Sequence, residues 1–215
     1  MQADGRGYLF LGGAAVLALG YLLTQFGLPV EGYPRVALKA SGIVFLAIYA
    51  ARRQAFLLAL ALAASAVGDA MLALEPARMT LGILAFGAAH ILYGWIFLRV
   101  IRMRGLRGLT GYVLAAIIAI AGVVILLWMQ PGMGDLAIPA TAYNGIIVVM
   151  AVLAALSKAR WLAVIGALLF VGSDTLIALN LFQNYDPAWR GPAVWISYVA
   201  AQFCLLFGLI HEKPE

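Results

Sequence analysis

Three ionisable side chains lie deep inside long apolar runs: Asp69 in FLLALALAASAVGDAMLAL, His90 in TLGILAFGAAHILYGWIF and Asp174 in AVIGALLFVGSDTLIALN. A charge at bilayer depth is costly to place, so an ionisable residue there marks a functional site. Two carboxyls suit acid–base chemistry. In a dehydrated setting one carboxyl of a neighbouring pair keeps its proton while the other stays ionised. Glycosidases divide roles in this way around an oxocarbenium-like state. Such a pair titrates as a unit, and from the sequence either aspartate could be the acid. His90 would position water or hydrogen-bond an aspartate.

The elements that must hold these groups follow from composition. With 65% hydrophobic residues and a mean hydropathy of +1.01, the chain carries more apolar surface than one soluble core could hide. Runs near the roughly 20 residues a bilayer requires fall at about 7–26, 34–50, 55–74, 79–100, 109–129, 135–156, 161–182 and 191–210. The expected fold is all-α: a bundle of eight transmembrane helices forming one domain over 1–215. A membrane β-barrel is excluded, because the runs are continuous rather than alternating and twice the length of a barrel strand. The first run continues to Phe26 and seven more follow, so it reads as a retained helix rather than a signal peptide. The lone Cys204 says nothing about redox compartment.

Arg52 and Arg53, then Arg99, Arg102, Arg104 and Arg107, then Lys158 and Arg160 fall in the loops after even-numbered helices; the opposite loops carry Arg35, Arg78 and Arg190. The positive-inside rule therefore predicts both termini in the cytoplasm, in what we expect to be a bacterial inner (cell) membrane. The net charge of +5 follows from this asymmetry and points to no nucleic-acid partner.

Counting about 1.5 Å of rise per residue from each outer helix end puts Lys39 and Asp69 roughly 7 Å deep, Tyr198, Asp174 and Tyr143 roughly 10–12 Å, and His90 and Gln202 roughly 15–16 Å. One cavity open to the non-cytoplasmic side would gather them so. Spacing adds faces: Ser65 and Asp69 are i, i+4, Phe86, His90, Tyr93 and Phe97 form one stripe, and Tyr198 and Gln202 are again i, i+4. Tyr143, Asn144, Tyr198 and Gln202 would equally serve as interhelical hydrogen-bonding glue. For the aspartates that role is less economical, since an amide or hydroxyl would do it at lower desolvation cost.

The chain also reads as duplicated. Asp69-Ala-Met-Leu-Ala-Leu echoes Asp174-Thr-Leu-Ile-Ala-Leu, Ala88-Ala89-His90 echoes Ala200-Ala201-Gln202, and Ser41-Gly42-Ile43 echoes Asn144-Gly145-Ile146, at offsets of 105, 112 and 103 residues. Four helices per unit predict a 4+4 parallel internal repeat. Helices 1 and 5, with no deep ionisable residue, are expected to be outer scaffold.

The ordered pattern Ser65-x-x-Gly68-Asp69, Gly82-x-x-x-Phe86-x-x-x-His90-x-x-Tyr93, Gly166-Ala167-x-x-Phe170-x-x-Ser173-Asp174 and Tyr198-x-x-Ala201-Gln202 resembles the YhhN family of lysoplasmalogenases. Lys39 and Tyr143 sit where that family tends to place a lysine and a tyrosine. The resemblance spans helix 2 to helix 8. It implies an eight-helix membrane enzyme that hydrolyses the vinyl-ether bond of a lysoplasmalogen, a lysophospholipid, to a fatty aldehyde and a glycerophospho-base. The residues suit that chemistry: protonating the β-carbon of a vinyl ether gives an oxocarbenium ion, which water converts to a collapsing hemiacetal. Asp69, Asp174 and His90 are then the catalytic candidates. The substrate-binding candidates are Lys39, Tyr93, Tyr143, Ser173, Tyr198 and Gln202, with Arg78 and Arg190 at outer helix ends as contacts for the lipid phosphate. Lys39 is either a counter-ion to an aspartate or snorkels to the interface.

Other chemistries fit less well. The chain has only His90 and His211, too few for a several-histidine zinc site, and a two-aspartate, one-histidine set is the one metal site left to it; no metal or cofactor is expected. There is no Gly-x-Ser-x-Gly elbow and no phosphate-cradling loop with lysine. A serine nucleophile would be Ser41, Ser65 or Ser173 near His90, and Ser173 points about 100° away from Asp174 on a helix. The rival class is a proton-coupled transporter, which also uses repeated halves and intramembrane carboxylates. Against it, the aspartate helices lack an internal proline and the polar layer keeps to the outer half.

Overall fold

The computed structural model describes residues 5–212. Among them eight α-helices follow one another: α1 (Gly5–Thr24), α2 (Gly32–Arg52), α3 (Phe56–Ala73), α4 (Met79–Arg104), α5 (Leu109–Met129), α6 (Ala137–Leu156), α7 (Trp161–Gln183) and α8 (Arg190–Leu209). No strand is present among the described residues. All eight helices are long and apolar enough to cross a bilayer, which makes this a multi-pass membrane protein. A helix satisfies its backbone N–H and C=O groups within one segment, the condition hydrocarbon imposes. The two chain ends, whose side the charge pattern predicts, lie outside the described residues.

The hydropathy-predicted spans match the helices to within two residues, except at the far end of α4, which continues to Arg104. Arg99, Arg102 and Arg104 end the apolar run without ending the helix, because arginine is a good helix former and its charge complements the helix C-terminus. Hydropathy marks where hydrocarbon ends, not where the helix ends.

The chain divides into two compact units, one running to Leu92 and one from Tyr93. In the first, α2 packs against both α1 and α3. Its core is built from Ala14, Ala18 and Tyr21 of α1, Ile43 and Leu46 of α2, and Leu58, Leu62 and Ser65 of α3. In the second, α7 packs against α6 and α8, and α6 against α5. The α7–α8 seam is close enough that a Cβ on Gly208 would lie 2.5 Å from the backbone nitrogen of Ala163. Small residues permit such an approach, which is how apolar helices gain contact without a hydrophobic driving force. On α5 the buried positions Gly111, Ala115, Ile118 and Gly122 recur at i, i+4, i+7 and i+11. Val113, Ile117, Ile120, Val124 and Leu127 on the same helix are exposed, as expected of an outer scaffold helix.

Two connections of the second unit are tied together. Leu106 and Ser157 form an isolated antiparallel bridge, and the Arg107 backbone N–H donates to the Leu156 carbonyl at 2.8 Å. The Arg107 guanidinium donates to the Ala159 carbonyl at 2.5 Å and lies 4.0 Å from the Trp161 ring centroid. Partial burial lowers the Arg107 pKa from its ordinary value, but a guanidinium stays charged at neutral pH.

Candidate active site

In the first unit, Lys39 lies on α2 and Asp69 near the end of α3. Lys39 Nζ stands 3.9 Å from Asp69 Oδ1, with only 17% of the lysine side chain and 2% of the aspartate exposed. Of the two readings of Lys39, the structure therefore shows the inward one. An ammonium this close lets a carboxylate keep its charge away from water. Ser65, one turn back along α3, donates its hydroxyl to the Ala61 carbonyl at 3.1 Å, the back-bonding usual for a helical serine. His90 is fully buried on α4, one turn along from buried Phe86. Arg78 is exposed just ahead of α4, and its backbone N–H donates to the Met71 carbonyl at 2.9 Å.

In the second unit, the Tyr143 hydroxyl on α6 donates to Asp174 Oδ2 on α7. Asp174 and Tyr143 are both half-buried. Deeper along α8, the Tyr93 hydroxyl donates to Gln202 Oε1 at 2.7 Å. Both residues are fully buried, and Gln202 Nε2 has no hydrogen-bond acceptor among the described residues. Tyr198 packs edge-on against Phe170 with ring centroids 5.3 Å apart and at 5.6 Å from Trp195. Phe170 precedes Asp174 by one turn on α7, as Tyr198 precedes Gln202 on α8, and the Phe170–Tyr198 contact lies on the α7–α8 seam.

Some candidates stand apart from the carboxyls. Ser173 is buried and donates to the Val194 carbonyl at 3.1 Å, which turns it onto the α8 backbone and off the Asp174 face. Arg190 Nε lies 2.6 Å from Asp186 Oδ1, so an acidic neighbour already engages it. Asn144 Nδ2 is 3.4 Å from the Gly122 carbonyl, an interhelical bond of the gluing kind. Among the described residues, no three His, Cys, Asp or Glu side chains gather as metal ligands.

The two units repeat one arrangement. In each, the helix before the aspartate's helix supplies a partner: the Lys39 ammonium of α2 for Asp69 of α3, the Tyr143 hydroxyl of α6 for Asp174 of α7. Lys39 and Tyr143 are 104 residues apart and the aspartates 105, within the 103 to 112 residues that separate the sequence echoes.

The profile of the YhhN family matches residues 34–209, from the start of α2 to the end of α8. The chain belongs to the YhhN family. A lysoplasmalogenase of Mycobacterium bovis is 32% identical to it, across 94% of this chain and 84% of its own length. The pig lysoplasmalogenase TMEM86B is 37% identical across 78% of this chain and 66% of its own. The human lysoplasmalogenase TMEM86B is 36% identical across 71% and 62% respectively. No solved structure matches the chain.

The family match leaves α1 outside, and α1 holds the residue that sequence alone did not mark. Lys39 Nζ lies 5.7 Å from the centroid of the Tyr21 ring, and Tyr21 is only 5% exposed. The expectation that helix 1 is outer scaffold is thus corrected in part: one face reaches the Lys39–Asp69 pair. The readable signal was the spacing of Ala14, Ala18 and Tyr21 at i, i+4 and i+7, which puts the ring on the small-residue face of an otherwise apolar helix.

Proposed function

We propose that this protein is a membrane-embedded hydrolase that cleaves the vinyl-ether bond of lysoplasmalogens to a fatty aldehyde and a glycerophosphoethanolamine or glycerophosphocholine, using the carboxyls of Asp69 and Asp174 as base and acid. The observation that carries the assignment is the ammonium beside Asp69. Lys39 brings a full positive charge to Asp69, whereas Asp174 receives a hydrogen bond from a neutral phenol. Asp69, beside the ammonium, is taken as the ionised partner and Asp174 as the acid.

On this reading Asp174 protonates the β-carbon of the vinyl ether, and the Asp69 carboxylate stabilises the oxocarbenium ion and takes a proton from the water that adds. As the hemiacetal collapses, Asp69 returns that proton to the departing glycerol oxygen, and Asp174 recovers one from the hemiacetal hydroxyl. Both carboxyls end as they began. His90 and Tyr198 line the substrate or its water, as do Tyr93 and Gln202, while Arg78 and Arg190 at outer helix ends meet the lipid phosphate. The loop charges support both termini and the basic connections lying in the cytoplasm, in a bacterial inner membrane.

The test is incubation of purified protein with ethanolamine and choline lysoplasmalogens beside saturated ether and ester analogues, following aldehyde directly. Only the vinyl ethers should react, and Asp69→Asn or Asp174→Asn should each remove the aldehyde while leaving the protein folded and membrane-inserted. Equal cleavage of the ester would make it a lysophospholipase. Substrate flux without aldehyde in sealed vesicles would make it a transporter.

A further inference from the structure

We infer that Tyr21 of α1 is a positioning residue for the Lys39–Asp69 pair: its ring face holds the Lys39 ammonium where it can keep Asp69 ionised. The inference rests on the reading of Asp69 as the ionised carboxyl, and it adds to the site a helix that lies outside the matched family region.

The packing of α1 on α2 leads to Tyr21. A Cβ on Gly42 would lie 3.2 Å from the Ala14 carbonyl oxygen and 3.5 Å from the Ala18 nitrogen, so glycine lets the two backbones meet there. Lys39 sits three residues before Gly42 on α2, and Tyr21 three residues after Ala18 on α1. One turn on from the contact, the ring and the lysine therefore face each other across the same seam. The ammonium lies 5.7 Å from the ring centroid and 3.9 Å from Asp69 Oδ1, so it has an aromatic face and a carboxylate as neighbours. A lysine stem has four rotatable carbons and would otherwise reach for the interface. Attraction to the negative face of a buried ring opposes that escape.

Purified Y21F, Y21L, K39M and the K39M/Y21L double variant, assayed for aldehyde release from an ethanolamine lysoplasmalogen, test this. Y21L should lower kcat roughly ten-fold with KM within about two-fold, since the pair acts in the chemical step. Y21F keeps the ring face and should retain most of the wild-type kcat. In the K39M background Y21L should cost nothing further, because the ring no longer has a cation to hold. Where K39M leaves no measurable turnover, the same cycle is read on the thermal midpoint in detergent, where coupling supports the inference and additivity overturns it. It is overturned too by wild-type kcat in Y21L, by Y21F as impaired as Y21L, or by a Y21L loss that persists in full without Lys39. D69N separates the two layers: aldehyde release retained in D69N removes the reading of Asp69, whereas an inactive D69N beside an unimpaired Y21L removes only the role of Tyr21.

Discussion

A lysine and a tyrosine make unequal partners for a carboxyl. An ammonium stabilises only the charged form, whereas a phenol can hydrogen-bond either form and contributes less to the charge. Lys39→Met should therefore act mainly through Asp69, lowering kcat by about ten-fold or more with little change in KM. Tyr143→Phe should lower kcat by about ten-fold by removing one hydrogen bond that orients the Asp174 carboxyl. Steady-state kinetics on the lysoplasmalogen check both, and a change confined to KM would place these residues in binding instead. The deeper pair predicts a stability effect. Tyr93→Phe removes the hydroxyl that Gln202 Oε1 accepts at 2.7 Å and leaves a buried amide short of a partner, at a cost of about 1–3 kcal/mol. Adding Gln202→Leu should recover part of that loss in thermal melts, as it does when both sides of a polar contact become apolar. The carboxyls stood out in the sequence because a charge inside an apolar run is costly and an amide would glue helices more cheaply. Lys39 and Tyr143 stood out less, since snorkelling and interhelical bonding explained them equally well. Their pairing was not legible, because it depends on how each helix is rotated. Ser173 shows the limit: adjacent to Asp174 in sequence, it faces the α8 backbone.

Helices were legible to within a turn, since continuous apolar runs of bilayer length admit little else. Their faces were less so. The outer role predicted for helices 1 and 5 fits α5, where exposed residues surround one small-residue stripe, but not the Tyr21 face of α1. A tyrosine carries no charge and does not stand out in a run of leucines. The closest seams, by contrast, are written in glycine. Gly208→Ala should lower the thermal midpoint, because the added carbon would meet the Ala163 backbone at 2.5 Å and backbone cannot rotate away; overpacking of this kind costs about 1–3 kcal/mol. Gly172→Ala on α7 is the control, as nothing lies within 4 Å of its new carbon. That change should be neutral or raise the midpoint, since alanine favours a helix interior over glycine by about 1 kcal/mol. Equal gains at the two positions would mean that helix propensity, not the seam, decides. Arg107 ties two connections and rests on Trp161, so Arg107→Ala should cost about 2 kcal/mol of stability and lower the midpoint accordingly, with Arg107→Lys recovering little of it.

Across the whole chain, the distribution of positive charge makes one prediction that the helices themselves do not. Lys158 and Arg160 lie between α6 and α7, and the α4–α5 connection carries Arg107, while the α5–α6 connection holds Asp135 and no basic residue. Both Asp135 and Lys158 are exposed, so cysteines placed there report the side they occupy. In a Cys204→Ala background, a membrane-impermeant maleimide added to intact cells should label Asp135→Cys and leave Lys158→Cys unlabelled until the cells are permeabilised. The reverse pattern would invert the topology. The outcome also fixes which leaflet supplies the substrate. Lys39 and Asp69 lie near the end of their unit that carries the α1–α2 and α3–α4 connections, about 10 Å from the start of α2 and about 6 Å from the end of α3. Those connections share the side of Asp135 in an alternating eight-span chain. Labelling of Asp135→Cys from outside would therefore put the carboxyl–lysine pair within reach of a lysophospholipid lying in the non-cytoplasmic leaflet, with its glycerol at the interface and its vinyl ether just beneath. Labelling of Lys158→Cys instead would assign the substrate to the cytoplasmic leaflet, with the chemistry at each carboxyl unaltered.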